Sequence, residues 1–297
     1  MQLHQLIGDS QFLLEAAKLS FGHGTTNARD EAIWLVLWCL GMALDTDIDD
    51  TANANRTCTP QEVAKVQALM AQRIATRKPA AYLTQQAWLQ GVPFFVDERV
   101  IVPRSLIAES LAYGHIDDWL GGNTHHVLDL CTGNASLAVL AAMAYPTALV
   151  DAADLSQAAL EVAAINVAQH NLATRIRLLQ SDGLAQVHQR YDLVLCNPPY
   201  VNQTSMNELP PEYLAEPNMA LAGGTDGMDF IRPMMADLPR VLTDDGVLVL
   251  EIGFERDHFE RAFPALNPIW LPTSAGDDHV LLLTKNMLKQ LEPTQTT

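Results

Sequence analysis

Five short apolar runs dominate the second half of the chain: His126–Leu130, Ala148–Ala152, Ile176–Leu179, Tyr191–Cys196 and Gly246–Ile252. Each is apolar almost throughout rather than at alternate positions, the pattern of strands covered on both faces and hence of a parallel sheet. Helical segments separate them; Ser156, for example, can cap a helix whose Leu160, Ala164 and Val167 share a face. Strand and helix in alternation predict a doubly wound, mostly parallel, Rossmann-like α/β sheet. Two further runs, Pro268–Leu271 and His279–Leu283, predict a terminal hairpin turning at Gly276-Asp277-Asp278 and adding one antiparallel strand. The expected sheet then has seven strands.

The first hundred residues read differently. Asp30 precedes the run Glu31–Leu44, apolar on every side as a helix buried among others would be. Thr59-Pro60-Gln61-Glu62 combines an N-cap, a first-turn proline and a capping-box glutamate. Val63, Val66, Met70 and Ile74 follow at helical spacing. Between these helices, Asp45–Asp50 begins like a calcium loop, but Asp50 replaces the turn glycine and Arg56 the bidentate glutamate. It reads as a solvated acidic connection. Pro93–Pro103 alternates β-branched or aromatic with polar residues, predicting a hairpin. The expected division is a helical domain at 1–92, a hairpin linker at 93–104 and an α/β domain at 105–297.

Composition bounds the partners. Against 18 Lys and Arg stand 35 Asp and Glu, a net charge of −17 over 297 residues. Affinity built on phosphate contacts needs basic patches, so direct nucleic-acid reading is disfavoured. The longest apolar run, Ala32–Leu44, is shorter than the ~20 residues that span a bilayer, and the opening MQLHQLIGDS lacks the basic segment of a secretory leader. Cys39, Cys58, Cys131 and Cys196 show no metal or disulfide spacing. A reduced, cytoplasmic protein without a metal site or a membrane partner is expected, and His125-His126 makes a poor metal pair because neighbours on a strand face opposite ways.

Function is written at the strand ends, where open α/β sheets bind their ligands. In order they carry Asp129 with Cys131-Thr132-Gly133-Asn134, then Asp154, then Asp182, then Asn197-Pro198-Pro199-Tyr200. Gly133 permits close backbone approach to a ligand. Asp154, some twenty residues beyond that turn, can accept both hydroxyls of a ribose, and Asp182 can accept from an adenine amino group. No Gly-x-Gly-x-x-Gly follows the first strand and no phosphate-binding Gly-Lys-Ser/Thr occurs, so an adenosine ligand without phosphates fits best, and S-adenosyl-L-methionine is such a ligand. Asn197 and the Pro198 carbonyl can each accept one N–H of an amide or exocyclic amine, aligning a weakly nucleophilic nitrogen and stabilising the positive charge that grows on it. Pro199 stiffens the turn and Tyr200 can stack on the planar acceptor. Cys131 and Cys196 read as small buried residues, and Gly223-Gly-Thr-Asp-Gly227, lacking lysine, as a surface turn.

On these residues the chain resembles the glutamine methyltransferases of the HemK group, and within it the PrmB-type branch that modifies a glutamine of ribosomal protein uL3. The resemblance runs over nearly the whole length. It is carried by Pro79-Ala-Ala-Tyr-Leu83, Phe94-Phe-Val-Asp-Glu-Arg-Val-Ile-Val-Pro-Arg-Ser105, Asp129-Leu-Cys-Thr-Gly133, Asn197-Pro-Pro-Tyr-Val201 and Leu209-Pro-Pro-Glu-Tyr213 with Glu216-Pro217. It implies a substrate-recognising helical domain before an S-adenosylmethionine-dependent methyltransferase domain, with uL3 as protein partner. Asn197, Pro198 and Tyr200 would serve catalysis and, with Pro199, hold the substrate; Asp129, Thr132, Gly133, Asn134, Asp154, Asp182 and Asn197 would serve the cofactor. One departure stands out: Ala135 occupies a position that is glycine in the group. If that position needs a positive φ, alanine costs ~1 kcal/mol or more. Two other readings stay open. One is an amino-methyltransferase of a nucleic-acid base, supported by Asn-Pro-Pro-Tyr alone; the other is a non-catalytic ribosome-assembly factor, suggested by Ala135.

Overall fold

The computed structural model of the chain describes residues 1–120 and 124–289. The end of the expected 105–297 domain and residues 121–123 within it lie outside the described residues.

Helices α1 (Leu3–Ala16), α2 (Ala28–Leu40), α3 (Thr51–Ala54), α4 (Pro60–Thr76) and α5 (Ala80–Thr84) precede a hairpin of β1 (Ala87–Leu89) and β2 (Val92–Phe94). There follow α6 (Ile107–Tyr113), β3 (His126–Leu130), α7 (Ser136–Ala144), β4 (Leu149–Asp154), α8 (Gln157–Gln169), β5 (Ile176–Gln180) and β6 (Tyr191–Cys196). The chain continues with α9 (Gln203–Glu208), α10 (Ile231–Val241), β7 (Leu242–Glu251), α11 (Arg256–Ala262), β8 (Ile269–Thr273), β9 (Gly276–Thr284) and α12 (Lys285–Leu288).

The seven-stranded sheet has the order β5-β4-β3-β6-β7-β9-β8. Its first five strands pair in parallel and β9 runs antiparallel to both neighbours, as the sequence predicts. Side chains alternate between two cores. Val127, Leu193, Leu195 and Val249 enter one, with α6 and α7. Leu128, Val194, Cys196 and Leu250 enter the other, with α10 and α11. The chain leaves β3 for β4 and β5 and returns to β6 on the far side of β3, so the switch point lies between β3 and β6, and ligands bind beside such a reversal.

Helices α1, α2 and α4 surround a core of their own. The capping box at Thr59 forms as expected, with Thr59 and Glu62 each accepting from the other's backbone N–H. Four local expectations are corrected. Helix α2 starts at Ala28, ahead of the expected run Glu31–Leu44, and stops short of Leu44, because Asn27 supplies the capping acceptor and left-handed Gly41 the free φ that helix ends need. The hairpin lies at 87–94, before the predicted 93–104 linker. Gln90 and Gly91 both take positive φ, the two-residue turn that matches strand twist. Beyond Phe94 the Asp97 side chain accepts from the Arg99 backbone N–H at 3.1 Å, and this turn interrupts the alternation that suggested a strand. In α8 Ala164 is exposed, while Ala163, Asn166 and Val167 are buried. The last hairpin turns at Ser274-Ala275, since Thr273 pairs directly with Gly276.

Candidate active site

The turn after β3 is held by side chains rather than by glycine alone. Cys131, Gly133 and Ala135 all lie in the left-handed region, with φ of 61°, 55° and 64°. The expectation for Ala135 is met, so its methyl sits where glycine costs less. Four bonds over-determine the turn. The Thr132 hydroxyl donates to Asp129, the Gly133 N–H to Asp154 at 2.9 Å, the Ser136 N–H to the Asn134 side chain at 3.2 Å, and the Asn166 amide to the Asn134 carbonyl at 2.9 Å.

Gly133, Asp154, Asp182, Asn197 and Pro199 line one cavity outside the carboxyl ends of β3, β4, β5 and β6. Its remaining wall is largely apolar and includes Ile101, Met219 and Phe230. Asp182 is exposed. Burial raises the Asp154 carboxyl above its ordinary range, against the N–H groups of Ser156 and Gly133 that favour the carboxylate. Asp129, Thr132 and Asn134 do not line this cavity; all three are buried, at the end of β3 and in the turn after it. Burial pushes the Asp129 carboxyl up to about 7, and its Oδ1 finds no partner, nor does the Asn134 Nδ2.

A second, larger cavity adjoins the first. Pro198 and Tyr200 line it, together with Arg104 and Tyr213, and Ser20, Gly22 and Thr26 from the connection between α1 and α2. Asn197 alone among the predicted residues lines both cavities. Gly133, Asp154, Asp182, Asn197, Pro198, Pro199 and Tyr200 therefore gather on one edge of the sheet, in two spaces that share Asn197, while Asp129, Thr132 and Asn134 line neither.

The sequence comparison settles the family. Over 289 residues the chain is 50% identical to the ribosomal protein uL3 glutamine methyltransferase of Bordetella pertussis, covering 96% of both chains. The chain belongs to the family of the uL3 glutamine methyltransferases. The corresponding proteins of Burkholderia pseudomallei and Neisseria gonorrhoeae are 51% and 44% identical, over 90% and 92% of this chain and 89% and 90% of theirs. Residues 111–225 match the methyltransferase small domain. The structure is also similar in fold to the hMettl16 catalytic domain solved with a MAT2A hairpin. That likeness has a TM-score of 0.52 at 14% identity and covers 76% of this chain and 81% of the other.

Several residues of this methyltransferase site escape a reading of motifs. Glu251 ends β7 and accepts from the Tyr200 hydroxyl at 3.0 Å, the Ser105 hydroxyl at 2.6 Å and the Leu106 N–H at 2.9 Å. It stands at the fifth parallel strand end, one beyond the four that the strand-end pattern names. Burial raises both the Glu251 carboxyl and the Tyr200 phenol, and in their contact the phenol hydroxyl donates to the carboxyl. The glycines at 223–227 are no surface turn. Val201 donates to Leu221 and accepts from Gly223, both at 2.9 Å, and a methyl on Gly223 would stand 2.7 Å from the Tyr200 backbone. Gly253, φ 53°, would place a methyl 2.6 Å from the Tyr200 ring. Glycine here lets neighbouring loops close around the Asn-Pro-Pro-Tyr segment. Glu216 accepts from the Val102 N–H at 2.8 Å and from both terminal nitrogens of Arg104 at 2.6 and 2.8 Å, with His23 at 3.5 Å. The contact with Cys196 and burial hold the Cys131 thiol well above its usual range, so no thiolate nucleophile forms there. Among the described residues no group of three His, Cys, Asp or Glu side chains is placed to hold a metal, and no helix is long and apolar enough to cross a membrane.

Proposed function

We propose that this methyltransferase transfers a methyl group from S-adenosyl-L-methionine to the side-chain amide nitrogen of a glutamine in ribosomal protein uL3. The observation that carries the reading is Asn197 as the common wall of the two cavities. An amide held there lies beside whatever fills the space lined by Asp154 and Asp182, which is what transfer between two bound molecules demands.

The residues present fit the cofactor. Asp154 and Asp182 offer acceptors for ribose and adenine, and the position a Gly133 Cβ would occupy has nothing within 4 Å. The two unpartnered atoms at the turn, Asp129 Oδ1 and Asn134 Nδ2, match an ammonium and a carboxylate in kind. S-adenosylmethionine supplies an electrophilic methyl on a sulfonium when bound. Everything else is the work of the chain. The Asn197 side-chain oxygen and the Pro198 carbonyl accept the two amide N–H groups of glutamine, turning the nitrogen toward the first cavity. As positive charge grows on that nitrogen the same two oxygens stabilise it, without reorganisation, because prolines and buried packing hold them. Tyr200 covers the amide plane, and Glu251 with Gly253 fixes the ring. The proton is lost after transfer, when the nitrogen is at its most acidic, so no strong base is required.

Residues 1–92 are assigned to substrate recognition and the α/β part to catalysis, in a cytoplasmic protein that uses no metal; the stretch 95–106 joins the two and contributes to both cavities. The test is incubation with methyl-labelled cofactor, unmodified uL3 and ribosomal RNA, followed by peptide mapping. Label on one glutamine of uL3 is expected. Label in RNA would defeat the proposal.

A further inference from the structure

The buried amide of Asn166 has no place in the chemistry above, yet it touches two segments that do. It stands on α8 with no exposed surface. Its Oδ1 accepts from the Phe95 N–H at 2.7 Å, and its Nδ2 donates to the Phe95 carbonyl at 3.0 Å and to the Asn134 carbonyl at 2.9 Å. Phe95 opens the stretch whose Val100 and Ile101 line the first cavity and whose Ile101 and Arg104 line the second. Asn134 sits between left-handed Gly133 and left-handed Ala135.

Among the four bonds that hold the turn after β3, three join residues contiguous with the turn, up to the first residue of α7, or the adjacent end of β4. The bond from Asn166 arrives from α8, a separate element, and that side chain also grips the linker. Its grip on the Asn134 carbonyl fixes the peptide leading into Ala135, whose conformation alanine resists. We propose that Asn166 is a positioning residue that ties the cofactor turn to the interdomain linker, so that cofactor binding and seating of the protein substrate are energetically coupled through one side chain. This rests on the function proposed above. Coupling of this kind is reciprocal: a substrate that settles the linker tightens the cofactor turn, and the reverse.

The test uses the full-length protein and titration calorimetry with S-adenosylhomocysteine, alone and in the presence of uL3. The wild type is expected to bind more tightly when uL3 is present. Asn166→Ala is expected to weaken binding about tenfold, the order of the left-handed penalty no longer opposed, and to abolish the effect of uL3. Adding Ala135→Gly to that variant removes the penalty, so affinity returns to within about threefold of wild type while the uL3 effect stays lost. Asn166→Asp, which keeps the acceptor for Phe95 but not the donor to Asn134, serves if the alanine variant fails to fold, and it too should lose both affinity and coupling. A purely structural asparagine would not be rescued by a glycine at 135, so failure of that rescue overturns the proposal. Unchanged affinity in Asn166→Ala, or a uL3 effect that survives it, overturns it as well. If wild-type protein does not bind S-adenosylhomocysteine, the cofactor reading itself fails. Binding that is indifferent to uL3 in the wild type overturns the coupling alone.

Discussion

Replacing Glu216 by glutamine removes one negative charge from a place where it is fully buried and cannot be replaced by water. Burial alone pushes this carboxyl up; His23 and Arg104 more than reverse that and hold it at about 2, against 4.5 ordinarily. A depression of that size corresponds to about 3 kcal/mol of stability at neutral pH. Glutamine can still accept from the Val102 N–H but leaves Arg104 without its counter-charge, and breaking a buried pair from one side costs about 3–5 kcal/mol. The two routes agree, so Glu216→Gln should destabilise the protein by about 3 kcal/mol at pH 7. The sign with pH follows from the depressed carboxyl. The contribution is complete above pH 4.5 and is lost as pH falls toward about 2, where wild type also holds a neutral group. Chemical denaturation of both proteins from pH 7 downward should therefore show a gap that closes below pH 4.5. A gap under 1 kcal/mol at pH 7, or one that does not narrow in acid, refutes the reasoning. The variant should also lose activity, because Pro217 and Tyr213, on either side of Glu216, line the first and second cavities.

Asn197→Ala should lower kcat by about 10²- to 10³-fold, the loss of one charge-stabilising acceptor, with cofactor affinity in calorimetry little changed. Asp154→Ala should act the other way, weakening S-adenosylhomocysteine binding about 10- to 100-fold through loss of its own contacts and of the bond from Gly133, with a smaller effect on kcat at saturation. Gly253→Ala places a methyl against the Tyr200 ring in a left-handed residue; turnover should fall while circular dichroism keeps its native shape. With −17 charges on the enzyme, stopped-flow association with a basic ribosomal protein should slow as salt rises; a flat response would remove electrostatic steering from the picture.

The strands were legible because burial on both faces leaves an unbroken apolar run, and β3 and β6 begin and end where the sequence places them. The strand ends were legible for the same reason: a polar residue closing such a run has little else to do. What stayed hidden depends on distant pairs. Ser105 meets Glu251 across 146 positions and Val102 meets Glu216 across 114, and no local period reports such contacts. Asn166 looked like one more polar position on a helix, since only the fold brings Phe95 and Asn134 to it. The hairpin was misplaced for a different reason. Its turn residues Gln90-Gly91 lie outside the conspicuous β-branched stretch, and Asp97 breaks that stretch from within.

The wall that Asn197 makes between the two spaces has a kinetic corollary. Under the proposed function the two ligands occupy separate spaces, so both can be aboard together. Initial-rate plots should then intersect rather than run parallel. It also marks where an inhibitor gains most: a single molecule bearing an adenosine at one end and a carboxamide at the other, bridged across that asparagine, would fill both chambers at once.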